Sequence, residues 1–375
     1  MRRVLFPFVG DSVGGAQLSA LLLVEGLTGT GYEPVVAVAQ EGPLARHLRE
    51  RGLPFALVPL AVLPGASPRP AAIAAALLRT APGLAGWLRR HGVALVHGND
   101  LRMNLAWSAA ARLAGRRAVW HQRAMPFSAS PLWRGASLLA HRVVCTSAAV
   151  DAAMPGGRRR RAVIANPFRT EAAPPDRAAA RAMAAAALGL APGTRLAGFA
   201  GRLVGWKRPD LFVQAAAAIA RAHPGPLAFV VLGEDVGGLG DGLRAMAAAA
   251  GIGGRLHLAG FRHPVEPWLA ACDVLLAPAV GEPFGRAVVE SMLAGTPVVA
   301  SASGGHVEIL DDGRTGLLAP PGDAAALAAA ALRVLGSADL AASLAAAARA
   351  DAQARFGLAD HVRRVTALYD AVLED

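Results

Sequence analysis

The chain almost lacks lysine. Its 375 residues hold 38 lysines and arginines together, and Lys207 alone among them is lysine. In so arginine-rich a chain a lone lysine marks a position where a compact ammonium serves better than a wide guanidinium fork. Cysteine is nearly as scarce. Cys145 and Cys272 stand far apart in apolar, strand-like contexts, which excludes a disulfide framework or a cysteine metal site and suggests small core residues. Aromatic residues make up only 5%. The basic half has no interleaved aromatics to stack bases, so nucleic acid is not an expected partner. No uncharged apolar run reaches the roughly 18 residues of a spanning helix. The start, Met1 to Gly10, is a short apolar run broken by Pro7 and followed by Asp11. It reads as a first buried strand and not a leader, which makes the cytoplasm the expected compartment.

Acidic residues are missing mainly from the first half. Residues 1–170 carry 21 Arg against 7 Asp and Glu, a net +14, and residues 171–375 carry a net −3. That asymmetry suits an anionic partner for the first half: a membrane surface or a phosphorylated acceptor. Arginine-rich composition alone is the competing explanation.

Hydrophobic residues make up 54% of the chain, enough for two cores. Short apolar runs at 3–9, 34–39, 54–59, 94–97, 117–121, 142–146 and 162–165 read as strands, as do 195–200, 227–232, 256–260, 274–278, 297–301 and 316–319. Alanine-rich stretches such as 71–90, 104–114, 209–222, 241–250 and 285–294 fall between them as helices. The alternation predicts an α/β chain of parallel sheets covered on both faces. Pro174-Pro175 and Ala191-Pro192-Gly193 interrupt the pattern. Two Rossmann-like domains are therefore expected, 1–170 and 171–355, with an amphipathic helix in 356–375 packing back on the first. Such sheets bind ligands at the carboxyl ends of their strands. Two edges facing each other would put the active site in a cleft.

Three motifs carry chemistry. Gly10-Asp11-Ser12-Val13-Gly14-Gly15-Ala16 follows the first strand and opens a helix, a turn whose N–H groups can approach a phosphate. It is not a G-x-G-x-x-G fingerprint, and an ordinary tight turn reads the same way. Gly201-Arg202-Leu203-Val204-Gly205-Trp206-Lys207 puts two cations at a strand end, where a pyrophosphate leaving group needs them. Glu282-Pro283-Phe284-Gly285-Arg286-Ala287-Val288-Val289-Glu290 sets one carboxylate in a loop and another inside the next helix. The first can accept from sugar hydroxyls and the second from a ribose diol.

This last stretch, running on through Ser291 to Ala300, resembles the E-x7-E region of the retaining GT-B glycosyltransferases of family 4. Gly14-Gly15-Ala16, Gly201-Arg202-Leu203 with Lys207, Ser303 to Glu308 and Asp312 to Leu318 resemble the family's other segments in order and spacing. The likeness is strong from 195 to 320 and weaker from 40 to 165. It implies that Arg202 and Lys207 bind the donor diphosphate and that Glu290 holds the ribose. Glu282, with the N–H groups of Phe284 and Gly285, would orient the sugar. Gly14 and Gly15 would line the donor, and Phe261 and Arg262 would lie near the base. His121 matches the family's active-site histidine, with His97 a neighbouring candidate. Asp11-Ser12 and Gln122-Arg123 depart from the pattern on the acceptor side.

The resemblance implies a nucleotide-sugar donor, a glycan, lipid-linked or small-molecule acceptor, and retention at the anomeric carbon. There is no D-x-D sequence, so no metal and no other cofactor is expected. Peripheral contact with an anionic inner membrane face is a further expectation. The alternatives are a nucleotide-sugar 2-epimerase of the same architecture and a non-catalytic binding protein.

Overall fold

The computed structural model describes residues 1–60, 70–126 and 137–374. The chain divides into two compact units, Met1–Phe168 with Leu358–Asp375, and Arg169–Gly357.

The first unit is a seven-stranded sheet. Its strands are β1 (Arg2–Phe8), β2 (Tyr32–Val38), β3 (Ala56–Leu57), β4 (Val93–Gly98), β5 (Arg117–Gln122), β6 (Arg142–Cys145) and β7 (Arg161–Val163). They lie in the order β3-β2-β1-β4-β5-β6-β7, and every pair is parallel. Alternate residues of each strand feed opposite faces. Val4, Phe6 and Phe8 pack with helices Gly15–Gly26 and Leu358–Glu374. Leu5 and Val9 pack with helices Pro70–Arg90 and Leu101–Ala114. Two covered faces explain why the strands read as unbroken apolar runs.

Helix Leu358–Glu374 belongs to this unit because its apolar stripe of Val362, Val365, Tyr369 and Val372 is buried in that core. The Leu358 N–H donates to Phe168 O at 3.0 Å. The β3 region is shorter than expected from 54–59. β3 is an edge strand with one neighbour, and Pro54 cannot donate to a ladder.

The second unit is a six-stranded parallel sheet of β8 (Arg195–Ala200), β9 (Leu227–Leu232), β10 (Leu256–Gly260), β11 (Val274–Ala277), β12 (Val298–Ser301) and β13 (Leu317–Ala319). Their order is β10-β9-β8-β11-β12-β13. Ala197, Phe199, Phe229, Val231 and Leu276 form one face with helices Pro209–Ala222 and Ala324–Gly336. Both cysteines are free and buried, and burial pushes each thiol up to about 12. Among the described residues no single helix is long and apolar enough to cross a membrane. The bent pair Ala324–Gly336 and Ala338–Arg355 passes that test jointly but turns by 103°, and it gives Leu327, Ala331 and Leu344 to the core.

Strand order reverses direction once in each sheet, beside β1 in the first and beside β8 in the second. Loops leaving strands on either side of such a switch point diverge and open a crevice at the carboxyl ends.

At the opposite, amino-terminal edge of the second sheet, Asp273 ties helix Arg177–Leu188 to β8. It accepts from Arg177, Arg181 and Arg195 at 3.1, 2.6 and 3.0 Å and from the Leu196 N–H at 2.7 Å. Burial alone would raise its pKa, but the Leu196 N–H and the guanidinium groups of Arg181 and Arg195 outweigh that and hold it below the ordinary value. A depressed folded pKa gives stability that is complete above the unfolded value and lost as pH falls through the folded one. Asp273→Ala should therefore lower stability by about 2–3 kcal/mol at neutral pH, the scale of a charged hydrogen bond plus an orphaned N–H. The measurement is the urea midpoint. The deficit should shrink below about pH 4, where the unfolded chain's Asp273 takes up a proton that the folded carboxylate still refuses. Equal midpoints at neutral pH would contradict this role.

Candidate functional site

Around the second sheet's switch point the loops after β8 and β11 meet. The chain leaves β8 at Gly201 (φ 154°). A Cβ at Gly233, just after β9, would stand 1.9 Å from the Gly201 carbonyl, so the backbones of the loops after β8 and β9 touch. The Leu203 N–H donates to Glu234 O at 2.9 Å, and the 3-10 turn Gly205–Lys207 follows. Arg208 then adopts φ 54°, unusual for a side-chain-bearing residue, with its guanidinium forked onto Asp210 at 2.8–3.1 Å.

This path aims Lys207 at the next loop. Its Nζ lies 2.6 Å from Glu282 Oε2, and the two side chains are 17% and 7% exposed. The same Nζ stands 4.6 Å from the centroid of the Trp206 ring. Two residues 75 apart in sequence thus form a half-buried ion pair at the sheet's carboxyl edge. The sequence placed both in the site, but not against each other.

Glu282 is fixed through its backbone. The Gly305 N–H donates to Glu282 O at 2.7 Å, and the Gly281 N–H donates to Ser303 Oγ at 2.9 Å. Gly304 and Gly305 are required by the approach: a Cβ on either would come within 2.3 Å of the Glu282 or Phe284 carbonyl. The Val280 N–H donates to Trp206 O at 3.1 Å and joins the two sides. His306 lies behind Gly285, its Nδ1 3.1 Å from Ser301 O. Burial, more than the neighbouring Lys207, lowers its pKa. Trp206, Ser303 and His306 were not singled out from sequence. They lie in stretches the sequence marked, Trp206 between Gly201 and Lys207 and the other two in the Ser303 to Glu308 segment, but without a role of their own.

The remaining second-unit candidates are placed separately. Phe284 is buried against Phe356, and Gly285 precedes helix Arg286–Ala294. Glu290, one turn in, pairs with Arg286 at 2.8 Å. Arg202 is exposed beside Gly201. Phe261 follows edge strand β10 and is 53% exposed, while Arg262 lies over Trp268 at 5.2 Å. No group of three or more His, Cys, Asp or Glu among the described residues is gathered to hold a metal ion.

In the first unit, Gly10 (φ 101°) turns the chain out of β1 against Gln40. Gly14 precedes helix Gly15–Gly26, and its N–H donates to Gln17 at 3.1 Å. The first bond of the helix runs from the Leu18 N–H to Gly14 O, so the N–H groups of Gly15 to Gln17 have no intrahelical partner. Asp11, a departure from the family pattern, pairs with Arg102 at 2.7 Å. His97 and His121 end β4 and β5 and are both fully buried. They touch each other, His97 Nε2 to His121 Nδ1 at 3.0 Å. Burial first, then the charge of Arg123, holds both well below the usual histidine pKa.

Known proteins resemble this chain in sequence and fold. A family model described as Glycosyltransferase Family 4 matches residues 13–172, and one described as Glycosyl transferases group 1 matches residues 194–337. The D-inositol 3-phosphate glycosyltransferase of Streptomyces scabiei is 36% identical over 210 residues, covering 52% of this chain and 45% of that one. The protein of the same name from Nocardia farcinica is 40% identical over 152 residues, 39% of this chain and 33% of that one. The chain thus spans less than half the length of these curated relatives. The crystal structure of Anabaena HepE with UDP and glucose superposes with a TM-score of 0.84 at 24% identity, covering 99% of this chain and 100% of that one. The epimerase alternative draws no support from these relatives. With both halves matched in order and the two parallel sheets in place, the chain belongs to the group 1, family 4 glycosyltransferases and has their GT-B fold.

Proposed function

We propose that this chain moves a sugar, with retention and without a metal, from a nucleoside diphosphate to an acceptor hydroxyl. The Lys207–Glu282 pair at the switch point carries the reading. As the bond from the anomeric carbon to the diphosphate breaks, negative charge collects on the phosphate oxygens. Lys207 exchanges its carboxylate partner for that diphosphate, and exposed Arg202 adds a second charge. Glu282, released, accepts from hydroxyls of the sugar. The acceptor oxygen bonds the anomeric carbon on the face the diphosphate leaves, and its proton passes to a leaving phosphate oxygen. Catalysis then rests on aligning the acceptor and stabilising charge. In this reading Glu290 holds the ribose, Phe261 and Arg262 lie near the base, Gly14 and Gly15 line the donor, and His121 serves the transferred sugar and acceptor. The UDP and glucose bound to Anabaena HepE make a UDP-hexose the first donor to try.

The acceptor is proposed to be anionic, because the first half carries the basic excess and because relatives are named for an inositol phosphate. Arg112, Arg117 and Arg160 gather around His141, and burial together with these charges pushes its pKa down to about 4. This basic cluster lies at the amino-terminal ends of the first sheet's strands. It would suit peripheral contact with an anionic membrane on its cytoplasmic face. Of the arginine run at 158–161, Arg161 is not available for that contact: it pairs with Asp151 at 2.9 Å and its side chain is 8% exposed. Arg159 and Arg160 are exposed, and the side chain of Arg158 lies outside the described residues.

Lys207→Ala and Arg202→Ala should each reduce kcat by about 10²–10³, the usual cost of removing one stabiliser of developing charge; exposed Arg202→Ala should leave Tm nearly unchanged, whereas Lys207→Ala should also lower it, because Glu282 then stays buried without its cation. Near-wild-type turnover in both would remove the clamp. Turnover should also survive EDTA, and loss on chelation that Mg²⁺ or Mn²⁺ restores would overturn the metal-free reading. Co-sedimentation should find the protein on anionic but not neutral vesicles. Binding should weaken with salt, since the Debye length is about 8 Å at physiological ionic strength, and should fall in Arg159→Gln/Arg160→Gln. Equal binding to both lipids, or none, would leave a soluble acceptor.

A further inference from the structure

His121 Nδ1 has two neighbours, His97 Nε2 at 3.0 Å and Arg123 Nη2 at 3.2 Å. A guanidinium offers five N–H donors and no acceptor, and it keeps its proton. The atom it faces must therefore present a lone pair. That puts the single proton of a neutral His121 on Nε2. His97 is settled by the same contact. Its Nε2 meets a lone pair and so donates, which leaves its Nδ1 to accept from the Tyr369 hydroxyl at 2.6 Å.

Arg123 is itself held in place. Its Nε donates to Asn99 Oδ1 at 2.8 Å and its Nη1 donates to Asn166 Oδ1. Asn99 is oriented in turn by donating to His97 O at 3.2 Å. The proton order runs Tyr369 to His97 to His121 and ends on His121 Nε2, which is buried and has no partner among the described residues. The His361 ring lies nearly parallel to that of His121, with centroids 6.3 Å apart. His361 Nδ1 donates to Ala165 O at 2.7 Å, so its Nε2, also buried and unpartnered, is a lone pair.

We infer that Arg123 is a positioning residue. By donating to Nδ1 it locks His121 in the neutral Nε2–H tautomer, so that His121 offers a hydrogen-bond donor suited to a sugar oxygen and not a base. The sugar as recipient rests on the transferase reading above; the tautomer does not. The role falls to a residue that departs from the family pattern in sequence.

The test is a two-bond ¹H–¹⁵N correlation spectrum of the full chain labelled with ¹⁵N-histidine, with His121 assigned by loss of its signals in His121→Gln. The wild type should show His121 protonated at Nε2 and bare at Nδ1 at neutral pH. Tyr369→Phe removes the donor to His97 but leaves Arg123 in place, and it should leave the His121 pattern unchanged. Arg123→Met should shift His121 toward the Nδ1–H form, and Arg123→Lys, which keeps a donor, should restore the wild-type pattern. A wild-type His121 protonated at Nδ1 or at both nitrogens overturns the inference. So does an unchanged pattern in Arg123→Met. If that variant does not fold, the wild-type and Arg123→Lys spectra still decide. Failure of the transferase reading would appear separately, as no turnover of any nucleotide-sugar, and would leave these spectra untouched.

Discussion

Parallel strands buried on both faces can show polar chemistry only at their ends. Every strand residue of β9, Leu227 to Leu232, is buried, and β1 runs buried from Val4 to Phe8. No functional side chain can stand on such a surface without meeting a helix. Charged and hydrogen-bonding groups are pushed to the loops, and the reversal of strand order decides which loops open. Asp273 and its three arginines take the amino-terminal edge, where they tie a helix to the sheet. Lys207 and Glu282 take the carboxyl edge beside β8 and β11. The first cluster makes several mutual hydrogen bonds and serves stability. Among the described residues the second has one ion pair and an aromatic neighbour, an arrangement that suits the exchange of partners proposed for it.

What could be read from sequence follows the same division. Strands 195–200, 227–232 and 256–260 and helix 209–222 are found where their apolar runs placed them; β9 is the clearest case, because a fully buried strand writes its burial into every residue. The site's residue types were legible too, since a lone lysine in an arginine-rich chain and two carboxylates eight apart are local signals. Contacts between distant loops were not. Nothing near Lys207 announces Glu282, and the Ser303 to Gly305 loop is explained only by the carbonyls it presses against. Arg161 sits in an arginine run, and only the fold brings Asp151 beside it.

The histidines mark the sharper limit. A histidine ending a buried strand could be seen, and two were. Its tautomer depends on Arg123 beside it and His97 on the neighbouring strand, and these are held in turn by Tyr369 from the terminal helix and by Asn99 and Asn166. Terminal helix Leu358–Glu374 thus does more than cover a sheet face, since its Tyr369 supplies the first hydroxyl of the chain of protons that reaches His121.

The Lys207–Glu282 pair also constrains what a donor must bring. A buried carboxylate that loses its only cation is costly unless other donors replace it. In the proposed reaction a diphosphate alone would draw Lys207 away and leave Glu282, whose side chain is 7% exposed, with no charged partner among the described residues. A diphosphate carrying a sugar supplies hydroxyls in the same step. In the proposed reaction the two halves of the donor are therefore read together: the phosphates satisfy the lysine only at a cost that the sugar's hydroxyls offset. Arginine would fit this exchange less well. Its planar fork favours a fixed two-point grip on one carboxylate, whereas an ammonium can turn its three protons from carboxylate to phosphate without a change in side-chain plane. That is a physical reason for a chain with so many arginines to keep one lysine, and to keep it at this strand end.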